Sequence, residues 1–153
     1  MKRLLPRLAA GLGVALLLAQ LWRPPRNESP AGGPADIAAK HPVPPAVLDL
    51  LHRACYDCHS NHTRYPWYAN VQPVRWWLDH HINEGKQHLN FSEFGAYADQ
   101  RAAKKLDELI DEVEGHTMPL PSYTWIHRDA RLSPADVKLL TAWADGLRAE
   151  IAP

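Results

Sequence analysis

Apolar residues run almost unbroken through positions 8–22, a pattern that predicts a single helix with no polar face. From 24 to 44 the chain is rich in Pro, Ala and Gly, lacks apolar periodicity, and reads as an extended, semi-stiff linker. Helical periodicity begins at Pro45. Val47, Leu48, Leu51 and Ala54 share one face of a helix over 45–54, with a proline in its first turn. A second helix opens at Pro73, gathers Val74, Trp77, Leu78, His81 and Ile82 on one face, and is expected to stop near Gly85. A third is expected from Ser92 as N-cap to Gly115, with Phe94, Tyr97, Leu106, Leu109, Ile110 and Val113 inward. Ser133-Pro134-Ala135-Asp136 is a strong helix start, and Val137, Leu140, Trp143, Ala144 and Leu147 form the inner face of the last helix. No stretch reads as a confident strand. The expected fold is all-α: a small helical domain over 45–153, behind an N-terminal hydrophobic helix and a Pro-rich linker.

Charge and composition narrow the class. Seventeen basic residues balance seventeen acidic ones and the cations are scattered, which argues against a nucleic-acid partner. The start, with Lys2, Arg3 and Arg7 ahead of the apolar run, has the form of an export signal. Bulky residues around Leu21-Trp22-Arg23 make a poor cleavage site, so residues 1–23 are expected to stay as a membrane anchor rather than leave as a signal peptide. Either way the rest of the chain is exported. Six tryptophans are many for 153 residues, and they suit the walls of a flat cofactor as well as an ordinary core.

The two cysteines lie in Cys55-Tyr56-Asp57-Cys58-His59. A C-x-x-C-H string is the attachment signal of a c-type haem: each thiol adds to one vinyl group, and the next histidine becomes the proximal iron ligand. Three other readings compete. A redox dithiol normally accompanies a βαβ pattern, and none precedes Cys55. A structural zinc site needs four ligands, and Cys55, Cys58 and His62 supply three. A disulfide between Cys55 and Cys58 would close a very short loop and stabilise little. One covalent haem c, held by Cys55 and Cys58 with His59 on the iron, is the expectation.

Met118 is the first choice for the distal ligand, being the sole thioether of the exported part. It lies in an extended loop stiffened by Pro119 and Pro121. His81, on the apolar face of the second helix, is its rival; otherwise it is a core histidine and Met118 a gap-filler. Arg64, close behind the attachment motif, is a possible haem propionate contact, because its forked guanidinium matches a carboxylate. His116 and His127 flank the Met-Pro loop and are either propionate or second-layer groups or plain surface. His41, His52, His62, His80 and His88 read as surface.

From Val43 through the last helix the chain resembles the haem-binding domain family of short bacterial proteins with one C-x-x-C-H motif. The resemblance is carried by the stretch from Cys55 to Tyr68, by Glu84-Gly85-Lys86, by Leu89-Asn90-Phe91-Ser92-Glu93-Phe94, by Met118-Pro119 and by the loop from Tyr123 to Leu132. It implies covalent haem and, as redox partners, di-haem peroxidase-type or other cytochromes; the order of helices has the plan of a small cytochrome c, and the N-terminal segment puts the expected place in the periplasm, anchored to the inner membrane. The function expected is electron transfer by a monohaem protein that is not itself an enzyme. The alternative is a haem-based sensor or peroxidase-associated module with an open distal site.

Overall fold

The computed structural model describes residues 4–152, so Lys2 and Arg3 of the charged start lie outside the described residues. Helices follow one another along the chain: α1 (Leu4–Ala19), α2 (Ile37–Lys40), α3 (Pro45–Ala54), α4 (Tyr56–His59), α5 (Val74–His88), α6 (Asp99–Glu114), α7 (Pro121–Ile126) and α8 (Pro134–Ile151). Single 3-10 turns at Trp67–Asn70, Phe94–Ala96 and Arg128–Ala130 join them. The β pairing among the described residues is one isolated bridge, Glu28 to His62. The fold is all-α, as the periodicity predicts.

The core forms where three helices bring their apolar stripes together. In α6, Ala102, Leu106, Leu109 and Val113 recur at spacings of four, three and four, which keeps them on one face. That face packs on Leu140, Ala144 and Leu147 of α8, the principal helix–helix contact. Val47, Leu50 and Leu51 of α3 close the cluster. The start of α8 is as the sequence implies. Ser133 Oγ accepts from the Asp136 N–H, and the Asp136 carboxylate accepts from the Ser133 N–H, a reciprocal capping box.

Three expectations are corrected. The third helix does not run from Ser92: Phe94 and Tyr97 belong to a separate turn, and α6 begins at Asp99. Ser92 cannot cap it because its hydroxyl already accepts from the Asn61 N–H at 3.0 Å. Gly85 does not end the second helix, since α5 continues to His88.

The segment 24–44 is no free linker. It lies over the domain as a strap: Thr63 N–H donates to the Asn27 carbonyl and Ser29 N–H to the Asn61 carbonyl, both at 2.9 Å. Further along, Ile37 is fully buried, and its N–H donates to the Phe91 carbonyl. Alternating prolines gave no period to read, but a strap needs none. Its polar backbone groups find partners on the domain instead of in a regular element.

Helix α1 buries no side chain although it is the most apolar of the helices: its leucines, from Leu4 to Leu18, are exposed. No helix among the described residues is long and apolar enough to cross a membrane.

Candidate functional site: the Cys55–His59 turn and its cavity

Helix α3 ends where the attachment motif begins, and the chain turns at once into α4. Cys55 N–H donates to the Leu51 carbonyl as the last bond of α3. The Cys55 carbonyl then accepts from both Cys58 N–H (3.1 Å) and His59 N–H (2.9 Å). This one turn puts positions i, i+3 and i+4 on a common side. Cys55, Cys58 and His59 accordingly line one cavity of about 490 Å³, within the roughly 300–1,000 Å³ usual for cofactor sites. Of the two residues between them, Tyr56 is buried away from the cavity and stacks on Phe91, 5.2 Å between ring centres, while Asp57, also buried, takes part in the lining.

The His59 ring is oriented by a backbone acceptor. Its Nδ1 lies 2.9 Å from the Leu89 carbonyl oxygen. A carbonyl can only accept, so Nδ1 carries the proton and Nε2 keeps its lone pair. Burial holds the imidazole below its usual pKa, so it stands neutral, the form that ligates a metal. Leu89 is placed for this because α5 ends there, its N–H capping on the Gly85 carbonyl. Phe91 N–H in turn donates to the His59 carbonyl at 2.8 Å, tying the turn to the segment after α5.

Apolar side chains make up much of the rest of the wall: Leu109 and Val113 from α6, Leu120 from the Met-Pro loop, and Leu132. Met118 and His81 both line the cavity, so both expected distal groups are brought to it. Met118 is half-buried, its N–H held by the Glu112 carbonyl at 3.1 Å. His81 Nδ1 is 2.8 Å from the Trp77 carbonyl and the ring lies over the Trp77 indole. Lys105, Glu84, Glu108 and Glu112 also line the cavity, with Lys105 paired to Glu108.

Both cysteines are free thiols, and burial pushes Cys55 up to about 12 and Cys58 up to about 11. Redox dithiols are made reactive by the opposite shift. Nor do three His, Cys, Asp or Glu side chains converge as a metal site among the described residues. His62 is turned away, its Nδ1 2.9 Å from the Ser29 carbonyl. Neither the dithiol nor the zinc reading finds support in this geometry.

Several residues are not where the sequence put them. None of the six tryptophans lines the cavity; besides its histidines, the aromatic side chains on its wall are Phe91 and Tyr123. Arg64 is not part of the lining either. Its Nε and Nη2 donate to the two carboxylate oxygens of Asp57, each at 3.1 Å, and Nη2 also to the His52 carbonyl. His88, expected at the surface, is exposed yet reaches the cavity wall. His127 makes a second layer, stacked on Tyr123 and 3.1 Å from the Tyr68 hydroxyl, while His116 is exposed.

The group sequence reasoning missed is Asp57. Besides Arg64 it accepts from the Tyr123 hydroxyl at 2.7 Å, which fixes α7 against the attachment turn. Nothing in the spacing of Asp57 and Tyr123, sixty-six positions apart, announces that bond.

An all-α domain with a cofactor-sized cavity, two thiols and an oriented neutral imidazole on one wall defines a prosthetic-group protein. The chain belongs to the haem-binding domain family, whose model matches residues 14–146. No curated protein and no solved structure matches the chain. The match begins inside α1 and takes in the whole strap.

The residues present fit a haem. The cavity has the volume, its walls are largely apolar, and His59, its Nδ1 held by the Leu89 carbonyl, belongs to its lining.

Proposed function

We propose that the protein is a monohaem c-type cytochrome-like electron carrier, working outside the cytoplasm at the face of the inner membrane. The observation that carries this reading is the His59–Leu89 hydrogen bond at the wall of a cavity shared with Cys55 and Cys58. Cys55 and Cys58 are the residues that would hold the haem, each thiol through one thioether to a vinyl group. Haem, when bound, supplies a one-electron iron couple whose potential follows its axial ligands and its burial. His59 presents Nε2, and the Leu89 carbonyl keeps the ring in that tautomer. Met118, on the same lining, would supply the second protein ligand, a soft thioether that would favour the reduced iron. The aliphatic walls keep water out. The partners are then redox proteins, of the cytochrome or di-haem peroxidase type.

The N-terminal helix supports a place at the membrane. Its leucines are stranded in water, and each would gain about 1.5–3 kcal/mol in an apolar medium. Sixteen residues reach about 24 Å, short of the ~30 Å hydrocarbon core. The turns that extend it through Trp22 close most of that gap, and the bilayer can thin to meet a short helix.

The alternative, a sensor or peroxidase-associated module with an open distal site, draws on the presence of both Met118 and His81 on the lining. Carbon monoxide added to the reduced protein decides. Slow or absent binding, with a reversible one-electron titration, is the result expected of a carrier; fast and complete binding would overturn it.

A further inference from the structure

The apolar helix α1 is fastened to the domain. Gln72 is buried, and its N–H donates to Gln20 Oε1 at 2.9 Å, while Gln20 Nε2 donates back to the Gln72 carbonyl at 3.3 Å. The Gln72 side-chain amide donates to the Trp22 carbonyl at 2.8 Å, and the indole N–H of Trp76 donates to the same carbonyl at 2.9 Å. One turn on, the buried Arg75 donates to the Pro24 and Pro25 carbonyls, at 3.2 and 2.7 Å. Its guanidinium lies over the Tyr65 ring at 4.3 Å, and Arg26 lies over that ring at 5.0 Å. A free tether makes no such bonds. These bonds join residues some fifty positions apart and use buried amide and guanidinium groups, which are costly to leave unpaired.

Around this junction the surface is aromatic. Trp22 is 75 % exposed, Trp76 and Trp77 are 39 % and 43 % exposed, and Val71 precedes Gln72 with 46 % exposed. Arg23 is also exposed there. Exposed indoles at the end of a helix that is apolar from Leu8 onward, mixed with arginine, have the chemistry of the bilayer interface. There the ring sits among acyl chains while the N–H and the cations stay at headgroup level.

We propose that Trp22 and the first turn of α5, locked to the bilayer-inserted α1, form one rigid foot at the headgroup level of a lipid bilayer, so that the haem cavity has a fixed orientation to the membrane. The proposal rests on the anchor reading given above and goes beyond it, since an anchor alone could leave the domain free to tumble. Helix α5 is the strut. It starts at the Gln72–Arg75 clamp and reaches the attachment turn at Gly85, whose Cβ position is 2.8 Å from the Cys58 carbonyl oxygen. Thirteen residues at about 1.5 Å each put the attachment turn roughly 20 Å along α5 from the clamp. A redox partner matched to that height and orientation is itself membrane-bound, and α1 restricts their meeting to the plane.

The test uses the full-length haem-loaded protein in vesicles of phosphatidylglycerol and phosphatidylcholine. Flotation with the vesicles is scored first, then polarised absorption of the haem bands on oriented bilayers of the same lipids. Flotation together with clear linear dichroism is expected. Gln20→Ala combined with Gln72→Ala removes the side-chain bonds of the clamp and no interface indole; it should float equally well and lose the dichroism, with unchanged haem absorbance showing that the domain is folded. Flotation with isotropic haem bands in the wild type would overturn the rigid foot and leave the anchor standing. Failure to float would overturn the anchor and the foot with it. Equal dichroism in the double variant would overturn the clamp as its cause.

Discussion

Gly85 of α5 lies against the backbone of Cys58, so close that a methyl group there would stand 2.8 Å from the Cys58 carbonyl oxygen and 3.2 Å from its Cβ. Helix α5 can pack on the attachment turn only because that position has no side chain. Backbone, not a flexible side-chain end, is what a Cβ would meet, so the turn or the helix must move. Gly85→Ala should destabilise the folded protein by about 1–3 kcal/mol, the cost of overpacking. It should also lower the fraction recovered with haem; urea melts and the haem-to-protein absorbance ratio check both. An alanine variant as stable and as well loaded as the wild type would show that the contact is loose.

Asp57 joins three segments through one carboxylate. Asp57→Ala leaves the Tyr123 hydroxyl without its acceptor and frees Arg64, and should cost about 1–3 kcal/mol. Tyr123→Phe removes one bond and leaves Asp57 its Arg64 partner, and should cost about 0.5–1.5 kcal/mol. Denaturant unfolding of the two single variants and the double variant measures the coupling. Strictly additive losses would mean that the bond carries no energy of its own.

Some of this was legible in the chain and some was not, for physical reasons. α3 and α8 follow from local rules: a proline start and an apolar stripe in one, a reciprocal cap in the other. The attachment motif is equally local, because i, i+3 and i+4 meet on any helical turn. Gly85 was misread as a stop because a glycine required for close approach and a glycine required for chain reversal look identical in sequence. Ser92 was misread because its hydroxyl is taken by a residue thirty-one positions away. The Leu89 carbonyl that orients His59 is invisible by nature, since any residue has a carbonyl. The tryptophans can be counted but not placed, apart from Trp143, which packs on the core from the inner face of α8: their number says nothing of which surface they face.

Acid should weaken the junction of α3 and α8. Asp136 accepts from the N–H and hydroxyl of Ser133 and pairs with Arg53 at 3.0 Å; these interactions hold its carboxyl below the ordinary 3.8. A depressed carboxylate contributes stability that is present above its unfolded pKa and lost as pH falls through the lower folded value. Stability should therefore fall as pH drops below about 3.8, and Asp136→Ala should show a shallower acid limb. At neutral pH the same variant should be less stable by about 0.5–2 kcal/mol. Thermal melts across that pH range decide, and parallel acid limbs in the two proteins would contradict the assignment.

The distal ligand separates by substitution. Met118→Ala should open the reduced iron to carbon monoxide, whereas His81→Ala should leave it closed. Met118→His should keep a low-spin six-coordinate iron and lower the reduction potential, since a nitrogen donor replaces the thioether. The weak red absorption of an iron–sulfur bond should vanish in both Met118 variants. The reverse pattern, with His81→Ala opening the iron and Met118→Ala leaving it closed, would give the position to His81.

The central claim is that Cys55 and Cys58 hold a haem covalently beside His59. Its most direct measurement is the intact mass of the protein after denaturation and acid–acetone extraction, made with haem-attachment machinery present. The account predicts a polypeptide heavier by one haem, with a pyridine spectrum of the two-thioether type. It further predicts a one-thioether spectrum, or no retained haem, in Cys58→Ala. A polypeptide of unmodified mass with all colour in the acetone would contradict it.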